Sequence, residues 1–72
     1  MEDIKEIYNY LMSVNFDGLQ FLNSNNKPYM TIGKSKLFTE STYQSFLSAK
    51  NEQGKKAHYN LLKMVYEKLT KN

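Results

Sequence analysis

The sequence predicts a mostly helical α+β domain, and three observations carry the prediction. Apolar residues recur at helical spacing near both ends of the chain. A short β-branched and aromatic stretch, with a proline before it and a glycine after it, lies between them. The chain has only 72 residues, enough for one domain over residues 1–72 that buries about 60% of its unfolded surface.

The elements follow in order. In residues 3–13, Ile4, Ile7, Tyr8, Leu11 and Met12 take the positions of one amphipathic helical face. Glu2 and Asp3 lead into it, where negative charge suits the helix dipole. Residues 15–26 carry two patterns. Phe16, Leu19 and Leu22 recur every three residues and favour a short helix, with Asn15 as its N-cap. Asp17-Gly18 is also a hairpin-turn signal, and on that reading Leu19–Leu22 is a strand. The helix is the favoured reading, and residues 23–28 then form a loop. Tyr29–Ile32 predicts one strand and Leu37–Thr39 another, joined by a tight basic turn at Gly33-Lys34-Ser35-Lys36. Thr39 is a candidate N-cap for a helix over 40–50 that places Tyr43, Phe46 and Leu47 on one face. Gly54 breaks the chain before a last helix over 55–70, with Ala57, His58, Leu61, Leu62, Met64, Val65 and Leu69 as its apolar face.

Composition removes several functions. Without cysteine there is no disulfide framework, thiolate metal site or thiol nucleophile. A lone His58 cannot build a histidine metal cluster. No apolar run spans a membrane, and acids directly after Met1 argue against a signal peptide. No phosphate loop or recognisable acid–base pair is present, so the expectation is a protein that is not an enzyme and uses no cofactor. All ten basic residues are lysine, accompanied by eight asparagines and six tyrosines, a usage typical of AT-rich coding. Their placement is uneven. Residues 1–17 hold one lysine against four acids, and residues 18–72 hold nine lysines against three. A concentrated basic charge makes a polyanion a candidate partner.

The predicted order of helix, short helix, two-stranded wing, helix and helix fits a winged helix-turn-helix. Glu6–Leu11 stands in the first-helix position, Val14 in the turn, and Leu19 and Leu22 inside the second helix. Asn26-Lys27-Pro28 forms the connection, Ile32-Gly33-Lys34 opens the wing, Leu37-Phe38 closes it, and Phe46-Leu47 ends the third helix. In these positions residues 4–47 resemble the MerR-like or excisionase-type winged-helix DNA-binding domains. The 55–70 helix lies outside the resemblance.

The resemblance implies a small accessory or regulatory protein of a phage or mobile element that binds or bends duplex DNA. Gln20 and Asn23 then face the major groove, where such amides pair with adenine, so the expected sites lean to A·T. Lys27, Lys34 and Lys36 grip phosphates, although Lys34 and Lys36 also suit a guarded edge strand. The expected recognition helix holds no lysine. A second expectation is a protein-binding inhibitor or modulator that meets a recombinase or host protein through an edge strand or the last helix. A third is a homodimer joined through Leu62, Val65 and Leu69, residues that equally suit the chain's own core. The implied location is the cytoplasm of a bacterial host or virus-infected cell.

Overall fold

Residues 3–71 are described by a computed structural model. Helix α1 spans Ile4–Ser13. Strands β1, Asp17–Leu22, and β2, Pro28–Lys34, pair antiparallel. Helices α2, Ser35–Ser48, and α3, Glu52–Thr70, follow. The chain is therefore α+β and mainly helical, but the path between α1 and α2 differs from the expected one.

The first correction concerns residues 15–26. The short helix expected there is instead strand β1 and a turn. Its burial alternates with period two: Leu19 and Phe21 face inward, and Gln20 and Leu22 face out. Cross-strand pairing then joins Leu19 to Ile32 and Phe21 to Met30 on the inner face. Leu22, on the expected helical stripe, is 50% exposed, and Phe21, off that stripe, is buried. Gly18 has φ of +77°, a left-handed backbone that glycine adopts without penalty and a helix cannot use.

Asn23 builds the turn that closes the hairpin. Its Oδ1 accepts the N–H groups of Asn25 at 2.8 Å and Lys27 at 3.1 Å, and its own N–H donates to the Lys27 carbonyl at 2.9 Å. Asn26 takes the left-handed position at φ 61°, which asparagine tolerates better than most residues.

The second correction follows from the first. Since β1 pairs with β2, Leu37–Thr39 is not needed as a strand and forms the first turns of α2. The basic stretch at 33–36 is a strand end running into a helix, not a hairpin turn. Buried Ser35 anchors this junction. Its Oγ donates to the Val14 carbonyl and accepts from the Phe16 N–H, each at 3.3 Å, while its backbone N–H donates to the Phe16 carbonyl at 3.1 Å. Thr39, expected as an N-cap, lies inside α2 and is buried. With no second helix and no wing at 29–39, the winged helix-turn-helix order does not form.

Gly54 is the third correction. It sits in the first turn of α3 and donates its N–H to Asn51 Oδ1 at 2.7 Å, so Asn51 is the N-cap and the break falls before it.

The core joins Ile7 and Leu11 of α1, Phe21 of β1, Ile32 of β2, and Leu62 and Val65 of α3. Burial of each such side chain contributes about 1.5–3 kcal/mol. Aromatic contacts close the seams. Tyr8 stacks on Tyr43 with centroids 4.2 Å apart, and Tyr10 meets Tyr66 edge-on at 5.1 Å. Tyr59 donates its hydroxyl to Asp3 Oδ1 at 2.6 Å, tying the start of α1 to α3.

Candidate interaction site

The structure separates the residues predicted to bind DNA. Gln20 lies on the exposed face of β1, directly across from exposed Thr31 of β2. Asn23 does not join it on a helix face; its carboxamide oxygen is already engaged in the hairpin turn. Lys27 is at the turn end of the hairpin, and the extended chain puts it about 23 Å from Lys34. Lys34 and Lys36 are together at the opposite end, where β2 becomes α2. Lys34 faces Asp17 at 3.8 Å, with both side chains mostly exposed. An ion pair so open to water holds Lys34 weakly.

The residues expected to join two copies are in the chain's own core. Leu62 and Val65 are fully buried, and Leu69 packs against the same cluster. Burial in the monomer leaves neither Leu62 nor Val65 a surface to offer a second copy. Several lysines of α3 rest on the chain's own rings: Lys55 over Phe46, Lys63 over Tyr59 and Lys68 over Phe21, at 5.2–5.7 Å. The tyrosines at the helix seams are likewise used internally.

A different surface emerges where β2 meets α2. Among the described residues the sheet has two strands, and the side of β2 away from β1 has no strand beside it. An open groove of about 420 Å³ runs there, lined by Met30, Ile32 and Gly33 of β2 and by Leu37, Phe38 and Ser41 of α2. Lys34 also lines it. Leu37 is 72% exposed, more than any other large apolar side chain described. A smaller cleft of about 160 Å³ between Asn15–Asp17 and Lys34–Lys36 shares Lys34.

Helix α2 mixes small polar residues into an inward face that also holds Phe38, Tyr43 and Phe46, and leaves its leucines outside. Its buried positions are Ser35, Thr39, Thr42 and Phe46, three of them small and polar. Leu37 and Leu47 point outward. A helix packed only against its own domain places its leucines inside; here they remain on the surface.

The resolved shifts lie at the α1–α3 tie. The Tyr59 hydroxyl bond holds the Asp3 carboxyl below its ordinary value, and accepting that bond makes Asp3 push the Tyr59 phenol up to about 12. Among the described residues no group of three or more His, Cys, Asp or Glu is placed to hold a metal ion. No described helix is long and apolar enough to cross a membrane.

Sequence patterning missed Met30, Leu37, Phe38 and Gly33 as a surface, because it assigned the first three to two paired wing strands and Gly33 to the turn between them. The usable signal was Leu37, which falls outside the helical face of Tyr43 and Phe46. Compared with known proteins, the chain matches no protein-family model, no curated protein sequence and no solved structure.

Proposed function

We propose that this protein is a binding module that captures an extended segment of another protein along β2 and α2. One observation carries the reading: an unpaired strand edge runs beside an apolar groove whose helix turns Leu37 to solvent. A free strand edge offers a row of backbone donors and acceptors, and a neighbouring groove selects side chains. Such an edge in a small domain is either guarded or used. The lysines at its ends guard it against identical chains, and the apolar groove suits it to a partner. The mechanism is binding without chemistry.

Peptide selection from a random display library against the full chain tests this. Selected peptides should shift the NMR amides of Met30–Lys34 and Leu37–Ser41. Leu37→Asp, at a site too exposed to matter for folding, should abolish those shifts. Peptides that map elsewhere, or that survive Leu37→Asp, would overturn the reading.

A second reading, duplex DNA binding, is favoured by the hairpin's outer face. Gln20 and Thr31 are cross-strand neighbours there, with Lys27 at one end and Lys34 and Lys36 at the other. The major groove accepts a two-stranded ribbon as well as a helix. On this reading A·T-containing duplexes bind with strong salt dependence, and Gln20→Ala relaxes sequence preference without weakening overall affinity. Absence of a gel shift at low salt removes it.

A further inference from the structure

Resting on the protein-binding reading, we infer that the occupant of the β2–α2 groove is an acidic extended segment, with apolar and polar residues alternating, that adds a third strand to the hairpin. Three features point to this occupant.

Gly33 is the first. Its backbone does not have a positive φ, and a Cβ built on it meets nothing within 4 Å. Neither local conformation nor internal packing requires glycine here. A strand glycine often marks a bulge, a tight bend or the close approach of another backbone; the bulge of this hairpin lies at Phe21/Leu22, and Gly33 lines the groove.

Alternation is the second. Side chains of an added strand point to opposite faces with period two. Every second residue of the occupant therefore faces Met30, Leu37 and Phe38 and, at the strand end, Lys34, which shares the face of Met30 and Ile32, while those between face solvent. That selects an apolar–polar repeat.

Charge is the third, and it separates a foreign strand from a second copy. Lys27 and Lys34 bracket β2, and exposed Lys36 follows. If two copies paired their β2 strands antiparallel about Thr31, Lys34 of one protomer would lie beside Lys27 of its partner. Centred between Met30 and Thr31, the same pairing sets the two lysines directly opposite. Like charges opposite one another across strands destabilise the pair. Carboxylates on a foreign strand reverse that sign at the groove end, where they displace the weak, exposed contact of Lys34 with Asp17.

Labelled synthetic peptides of alternating valine with glutamate, with serine or with lysine provide the test, read by fluorescence anisotropy and by NMR amide shifts on the full chain. The glutamate peptide should bind, shift the Met30–Lys34 and Leu37–Ser41 amides, and weaken with salt. Lys34→Glu with Lys36→Glu should weaken it about tenfold and restore binding of the lysine peptide. Equal binding of the serine and glutamate peptides at the groove would overturn the acidic occupant and leave the protein-binding reading standing. No groove shifts with any peptide would overturn both. Displacement of the glutamate peptide from the groove amides by a DNA duplex would assign the lysines to a nucleic acid instead.

Discussion

Tyr59 shows how one side chain sets a pH signature for the whole fold. Its hydroxyl donates to Asp3 across the α1–α3 seam. The bond favours the charged carboxyl and the neutral phenol, so the two shifts run in opposite directions. Asp3 therefore stabilises the fold above the ordinary carboxylate range, and this contribution is lost as pH falls through the lowered value. Tyr59 contributes fully below its ordinary 10.0, and its contribution is lost as pH rises through about 12. An ultraviolet titration of the tyrosines should contain a late step at about pH 12 from Tyr59. Tyr59→Phe should delete that late step and raise the Asp3 carboxyl, read by NMR, towards its ordinary value. If the late step persists in Tyr59→Phe, another tyrosine carries it.

At the scale of elements, α2 is the informative one, because its inward face mixes Ser35, Thr39 and Thr42 with Phe38, Tyr43 and Phe46. Thr39 Oγ1 is buried and, among the described residues, has no hydrogen-bond partner. A buried hydroxyl left unpaired costs about 1–3 kcal/mol. Valine has nearly the same shape and no hydroxyl, and its helix propensity is close to that of threonine. Thr39→Val should therefore raise stability by about 1 kcal/mol or more, about 4–8 °C in a domain of this size. A melting temperature that falls on this substitution would mean that the hydroxyl is satisfied in solution. The same elements show which parts of the fold could be read in the chain. Helices α1 and α3 were legible because Ile7, Leu11, Leu62 and Val65 repeat at helical spacing within one segment. Strand β1 was not, because Phe16, Leu19 and Leu22 imitate a helical stripe. What decides against it is pairing with Met30 and Ile32, which no local window contains. Once that partner was misassigned, Leu37 and Phe38 became wing residues and the groove disappeared from view. Lys34 and Lys36 remained legible as exposed charges, since local sequence suffices for that, although Lys34 ends β2 and Lys36 lies in the first turn of α2.

The whole molecule depends on a single cluster, which decides what the last helix is for. Ile7, Leu11, Phe21, Ile32, Leu62 and Val65 bring α1, both strands and α3 together, and α2 adds only Phe46 as a large buried apolar residue. A two-stranded hairpin is marginal by itself, so its inner face needs these helices to stay folded. A chain of this length has about 4–10 kcal/mol of total stability. Leucine-to-alanine replacement at a fully buried site removes about 2–5 kcal/mol of that. Leu62→Ala should accordingly lower the melting temperature by about 10 °C or more and flatten the unfolding transition. A dimer joined through Leu62, Val65 and Leu69 makes a different prediction, because association stabilises the folded state by mass action and makes melting depend on concentration. With Leu62 and Val65 buried inside the monomer, the melting temperature of the unaltered chain should stay constant when its concentration is raised a hundredfold. A rise with concentration, together with a Leu62→Ala chain that stays folded as a monomer, would move these residues from the core to an interface and reassign α3.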